Sequence, residues 1–337
     1  MEDIVLLSGN ANIPLANSIA KLLKIKLNKN NIPTMFANTE IRSKIHDDLR
    51  GKHVFIIQSG CVNKEKNLSI NDILFETLIL VDACRRTSAR TVNIIMPNFP
   101  YARGDKKDEP RAPIPSKLVA NLFVSARIDR LVSMDLHATQ IQGFLDIPFD
   151  NLYSAKLVID ELNKSVFKNL TLSERQEKYI VVSPDAGAAK RTLKFAKIMQ
   201  LNTIIMHKQR DYSKANTVEK TLLIQESGKN NYIGKTAIIL DDMADTCGTL
   251  INAVNSLAEH GIKNVICVVT HGIFSRDAID KINNCSYIKK FFVTDSIPQY
   301  HNQLKCSKLN VFSISELMAD VIHRIITRKP ISELFVY

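Results

Sequence analysis

The sequence has no tryptophan, and its six cysteines, at 61, 84, 247, 267, 285 and 306, never approach the CxxC spacing of a zinc or redox site. Structural zinc is not expected, and a reducing compartment is. Several of these cysteines sit in apolar runs, where cysteine behaves as a small core residue. No apolar run approaches membrane-spanning length, and residues 1–10 carry no basic stretch ahead of a long apolar one. Neither a membrane span nor a secretory leader is expected, and the expected location is cytoplasmic. The Asn-X-Ser/Thr triplets at Asn67, Asn169 and Asn284 then carry no glycosylation meaning. Acidic residues are the minority charge: 34 Asp and Glu against 45 Lys and Arg, a net charge of +11. A basic balance fits anionic partners. The cations are spread along the chain, and with tryptophan absent this favours phosphorylated small molecules over a nucleic-acid module.

What is present is a strand–helix alternation. The 337 residues suggest two domains. Strands are expected at Ile4–Leu7, Val54–Gln58, Val92–Met96, Arg130–Met134, Ile180–Ser183, Thr203–Met206, Thr236–Leu240, Val265–Val269 and Phe291–Val293. Helices are expected at Leu15–Leu23, Asn71–Arg86, Lys117–Ala126, Ala155–Leu162, Lys190–Met199, Leu250–His260 and Ile314–Ile326. The rhythm pauses from Phe149 to Ser154, and residues 163–178 read as polar and exposed. The fold class is therefore α/β, two doubly wound domains with mostly parallel sheets. The domains are expected at 1–152 and 153–337, with the last helix, 314–326, able to pack back on the first. No residue-level repeat is visible; only the shared rhythm suggests a duplicated fold.

The most informative stretch is Thr236–Thr249, TAIILDDMADTCGT. It reads as a buried strand, the acidic pair Asp241 and Asp242, a small-residue turn, and a helix start. Loop amides and a helix N-terminus suit an anion, usually phosphate. Thr246 and Thr249 add hydroxyls, and Gly248 allows close backbone approach. Carboxylates would repel a phosphate, so Asp241 and Asp242 suit sugar hydroxyls or magnesium instead. An acidic helix N-cap explains the pattern about as well from composition alone. The proline-rich, charged stretch Pro97–Pro115 forbids regular structure, and reads as a solvated loop or as ligand contacts after a buried strand.

The string DDMADTCGT resembles the ribose-5-phosphate loop of the ribose-phosphate pyrophosphokinases, the phosphoribosyl pyrophosphate (PRPP) synthetases. The likeness runs nearly end to end through FANTE, QSGC, FPYARGDKKD, RAPIPSKLVANL, MDLHATQIQGFLDIP, SPDAGAAKR, HKQR, THGIFS and INN. It implies two phosphoribosyltransferase-like domains and transfer of pyrophosphate from MgATP to ribose 5-phosphate, giving PRPP and AMP. It also implies a cytoplasmic homo-oligomer, dimers assembling to a hexamer, without nucleic acid or membrane. By position, Phe36, Asn38 and Glu40 match adenine contacts made across a subunit interface, and Arg103, Gly104 and Asp105 match nucleotide contacts. His137 and Asp185 match magnesium-linked positions, although magnesium prefers oxygen to imidazole. Lys208 and Arg210 match a catalytic lid, and two cations on a mobile segment suit phosphoryl transfer. Asp241, Asp242 and Asp245 match ribose and metal contacts, and Thr246, Cys247, Gly248 and Thr249 match the 5-phosphate cradle.

The sequence also departs from that pattern. Gly104 stands where the family has Gln, which predicts a missing nucleotide contact. Ala188 replaces a glycine, which predicts a narrower loop. The regulatory phosphate site matches Asp48, Arg50, Ser88, Pro330 and Ser332, and Asp48 and Pro330 predict weak phosphate activation. Three other functions stay open: a non-catalytic regulatory homologue, a phosphoribosyltransferase that consumes PRPP, and, more distantly, nucleic-acid binding.

Overall fold

A computed structural model describes residues 3–185, 187–209, 220–225 and 232–335. The chain divides into two compact units. The first comprises 1–154, 295–298 and 313–336; the second comprises 155–294 and 299–312, with residue 337.

In the first unit the strands are β1 (Ile4–Ser8), β2 (Thr34–Met35), β3 (Ile41–Arg42), β4 (His53–Ile57), β5 (Thr91–Ile95), β6 (Arg130–Met134) and β7 (Phe149–Leu152). Its helices are α1 (Ile13–Leu23), α2 (Ile70–Arg86) and α3 (Pro115–Ser125). The second unit opens with α4 (Ala155–Ser165), α5 (Leu172–Lys178), β8 (Tyr179–Ser183), α6 (Ala189–Met199), β9 (Thr203–Gln209) and β10 (Lys220–Gln225). It continues through β11 (Thr236–Ala244), α7 (Gly248–Glu259), β12 (Asn264–Gly272), α8 (Ala278–Asn284), β13 (Ile288–Thr294), α9 (Tyr300–Lys305) and β14 (Leu309–Phe312). The chain then returns to the first unit as α10 (Ser315–Thr327).

The first sheet runs β1-β4-β5-β6-β7, all parallel, and the second runs β10-β9-β8-β11-β12-β13-β14, parallel except for β10. Counted within its own unit, the second sheet has the order 3-2-1-4-5-6-7. The first has 1-4-5-6-7, and its second and third strands form a separate hairpin, β2–β3. The shared rhythm in the sequence thus reflects one strand order used twice.

Side-chain alternation along the strands fills both faces of each sheet. On β11, Ala237 and Ile239 join the core under α7 and α8, with Val254, Leu257 and Ile282. Ile238 and Leu240 join the opposite core under α4 and α6, with Val158, Phe195 and Met199. In the first unit, Leu7, Val54, Ile56 and Ile94 pack beneath α2 and α3. Helix α1 packs on β1, β4 and α10, whose Met318 and Ile322 are fully buried.

Three sequence expectations need correction. Phe149–Leu152 is an edge strand, not a pause; its Asp150 accepts a bond from Arg130 across the β6–β7 pair, which a polar edge tolerates. Residues 163–178 are not simply exposed: Phe167 is fully buried, and α5 is closed by a Thr171–Glu174 capping box. The strand expected to end at Leu240 continues through the acidic pair to Ala244.

Candidate active site

In the second unit the chain turns from one direction across the sheet to the other between β8 and β11. A crevice at such a switch point, beyond the strand C-termini, is the usual ligand position of an open α/β sheet. Strand β8 pairs with β11 only as far as Ile239, whereas β12 follows it to Ala244. Residues 240–244 therefore overrun β8 and carry Asp241 and Asp242 into the crevice. Asp242 is buried and Asp241 partly so. Asp241 Oδ1 accepts the Asp242 N–H at 2.9 Å, and Arg191 Nη1 on α6 lies 3.9 Å from Asp242 Oδ1. Burial raises the Asp241 pKa, Asp242 raises it further, and Arg191 pulls it back. One nearby cation against two close carboxylates leaves a site suited to hydroxyl donors or a metal ion.

The following loop is tied down from behind. Ala244 O accepts N–H bonds from Ile273 (2.9 Å) and Phe274 (3.0 Å), and Asp245 O accepts one from Ser275 (3.1 Å). Thr246 O accepts from Lys281 Nζ at 3.2 Å. In a trans peptide the N–H points opposite to the C=O. The amides of Asp245, Thr246 and Cys247 therefore face away from the 273–281 segment, and among the described residues no peptide is cis. Cys247 holds a left-handed conformation (φ 58°), and α7 begins at Gly248, where an added Cβ would meet no atom within 4 Å. Converging amides, a helix N-terminus and open space are the features that suit an anion. Burial pushes the Cys247 thiol up to about 12, so it is a packing group here, not a nucleophile.

Asp185 follows β8. Its Oδ1 accepts the Ala188 N–H at 2.8 Å, and Ser183 Oγ donates to its carbonyl at 2.7 Å. Ala188 has φ −79° and ψ −9°, a conformation alanine adopts without strain. Lys208 belongs to β9, where its backbone is opposite Thr221 of β10; Arg210 lies outside the described residues.

The first unit gathers a different set. Arg103, Gly104 and Asp105 follow β5, and the exposed His137 follows β6. Gln140 Nε2 donates to Asp105 Oδ2 at 3.1 Å, joining these two loops. The turn before His137 is held by Asp135, buried at φ 41°, whose Oδ2 accepts the Ser154 N–H at 3.1 Å. Gly104 is packed rather than simply missing a side chain: an added Cβ would lie 2.6 Å from Pro115 Cδ. Its carbonyl also accepts Ser116 N–H and Oγ–H at the start of α3. On the β2–β3 hairpin, Phe36 N–H donates to Glu40 O at 2.8 Å and Glu40 N–H to Asn38 Oδ1 at 3.2 Å. The Arg42 guanidinium lies 5.8 Å from the centre of the exposed Phe36 ring. A groove of about 580 Å³ separates Phe36, Glu40 and Ile41 from Asn71, Phe75 and Ile79 of α2.

Arg191 and Lys281 reach the second unit's site, and neither was singled out from sequence. Arg191 closes the SPDAGAAKR string, so a signal for it existed; Lys281 stands in an ordinary short helix and gave none.

Two parallel α/β units of this strand order, one with an acid pair and anion loop at its switch point, define a phosphoribosyltransferase-like fold. The model of the N-terminal domain of ribose phosphate pyrophosphokinase matches residues 4–126, and that of a phosphoribosyl synthetase-associated domain matches 228–336. Ribose-phosphate pyrophosphokinase 4 of Saccharomyces cerevisiae is 42% identical over all of this chain and 96% of its own length. The crystal structure of phosphoribosylpyrophosphate synthetase from Mycobacterium smegmatis is similar at a TM-score of 0.84, with 33% identity, covering 97% of this chain and 99% of that one. The chain belongs to the ribose-phosphate pyrophosphokinase family.

Proposed function

We propose that the chain is an active ribose-phosphate pyrophosphokinase, forming PRPP and AMP from ribose 5-phosphate and MgATP. The observation that carries this reading is the join, on one strand–loop–helix, of a carboxylate pair to an anion cradle. A phosphorylated sugar answers both halves: its phosphate meets the amides and hydroxyls of Asp245–Thr249, and its ring hydroxyls donate to Asp241 and Asp242. Free phosphate or an unphosphorylated sugar would use only half of the site.

In this reaction the sugar 1-hydroxyl attacks the β-phosphorus of ATP. The bond from that phosphorus to the α-phosphate's bridging oxygen breaks, and AMP leaves. Such transfer needs positioning and charge cancellation more than covalent help. Lys208 and Arg210 supply the cations. Phe36, Asn38 and Glu40 offer a ring face, an amide and a carboxylate to adenine, and Arg103 and Asp105 hold the rest of the nucleotide. The magnesium that accompanies ATP usually takes one or two protein carboxylates. Asp185 and Asp241 of the second unit would hold it, and His137 keeps its magnesium-linked role from the family resemblance alone; when bound, the ion would cancel charge on the phosphate oxygens. The working form is a cytoplasmic homo-oligomer, dimers building a hexamer.

The test is product analysis on the purified chain with ribose 5-phosphate, ATP and magnesium. AMP and PRPP should appear in equal amounts and be lost in Lys208→Ala. Folded protein that binds ATP but yields no AMP across phosphate and magnesium concentrations would instead make it a regulatory homologue.

A further inference from the structure

The cradle, Ala244–Asp245–Thr246–Cys247–Gly248–Thr249, contains no cation of its own. A dianionic phosphate there would face neutral amides while lying near Asp241, Asp242 and Asp245. We propose that Lys281 supplies the missing charge from behind the loop, as a positioning residue for the phosphorylated sugar. This rests on the reading that the loop holds the 5-phosphate.

Lys281 projects from α8, with its ammonium 3.2 Å from Thr246 O and 2.9 Å from Asp277 Oδ1. The first contact fixes the Thr246–Cys247 peptide, so the Cys247 N–H points to the cradle side. It also polarises that peptide: a charge on the carbonyl strengthens donation by the N–H across the same bond. The ammonium is only partly exposed, which limits screening by water. Asp277 orients the amine and offsets part of its charge, so the pair sets how much positive potential the loop presents. Lys281 is thus a specificity determinant for the phosphorylated form of the sugar.

Calorimetric titration of the full-length protein with ribose 5-phosphate, ribose or ATP tests this without turnover. Lys281→Met should weaken ribose 5-phosphate by about tenfold or more, the scale of one charge-assisted hydrogen bond, and leave ATP and ribose within about twofold. Lys281→Arg should restore affinity to within about threefold, because it keeps the charge and a donor. Asp277→Asn should tighten ribose 5-phosphate by about two- to threefold, the scale of a partly exposed ion pair. Unchanged ribose 5-phosphate affinity in folded Lys281→Met would overturn the proposal, as would equal loss for all three ligands, which marks a merely structural staple. A wild type that binds no ribose 5-phosphate would remove the functional reading itself, a result distinct from either.

Discussion

The two units share a strand order but treat the same topological position in opposite ways. In the first unit β1 is the sheet edge, since β2 and β3 form a separate hairpin, and side chains fill the space beyond the C-terminal ends of β1 and β4. Glu76, buried on α2, accepts the Asn10 N–H (2.7 Å), Asn10 Nδ2 (2.5 Å) and Gln58 Nε2 (2.7 Å). Asn10 Nδ2 also donates to Pro33 O, the residue before the β2–β3 hairpin, and Lys66 Nζ donates to Asn10 Oδ1. Asn12 and Ser59 donate to Asp295 O and Ser296 O. A Cβ at Gly60 would lie 2.6 Å from Pro100 Cδ and 2.7 Å from Asn98 O. In the second unit the corresponding position holds two carboxylates, one nearby arginine and a glycine beside open space. The side chains beyond these strand ends decide whether the position becomes a core or a candidate site.

The comparison breaks most visibly at Glu76. Glu76→Leu strands three buried donors, so unfolding free energy in denaturant titration should fall by about 3–5 kcal/mol. A loss below about 1 kcal/mol would mean the strand ends of β1 and β4 are not held by this polar network.

The same change of charge should act in the opposite direction in the second unit. Burial and Asp242 raise the folded-state pKa of Asp241 above its unfolded value. The folded protein therefore keeps a proton that the unfolded chain releases, so stability falls as pH rises from the unfolded carboxylate pKa toward the folded value of about 8, and levels off above it. Asp241→Asn should gain about 1–2 kcal/mol at pH 8, shrinking to nothing near pH 4, and slow PRPP formation by at least about tenfold. Melting curves at both pH values check the first part; destabilisation at pH 8 would contradict the contrast.

The smallest effect concerns Gly248. It opens α7 and has room for a methyl group, so Gly248→Ala should stabilise by about 0.5–1 kcal/mol. The methyl would occupy the cradle, so ribose 5-phosphate binding should be lost. Retained binding would place the ligand elsewhere.

The second unit's candidate site could be proposed from sequence because Asp241, Asp242, Asp245 and Thr246–Thr249 lie in one string, and the fold sets that string at the C-terminal end of β11. The first unit's Glu76 hub was not readable. Glu76 lies within an amphipathic helix, and its partners Asn10 and Gln58 come from two other strand ends. Arg191 and Lys281 arrive at the cradle from α6 and α8, and only folding brings them there. Short edge elements, β7, β14, α8 and α9, gave little pattern because their burial is partial. The end of β11 was misjudged because charge usually stops a strand; here β12 still pairs with it after β8 has stopped. Gly104 read as an absent contact, and its packing, with an added Cβ 2.6 Å from Pro115 Cδ, was not readable because Pro115 lies eleven residues on.

The return of α10 to the first unit sets an order of assembly. Translation delivers β1 to β7 first, then the whole second unit, and only afterwards the helix that covers α1. Until Met318 and Ile322 emerge from the ribosome, the face of α1 that packs on α10 has no partner. Domains synthesised early usually complete themselves before later ones begin. This one waits, and a nascent chain stalled before Ser313 would present that face of α1 to chaperones rather than to its own helix.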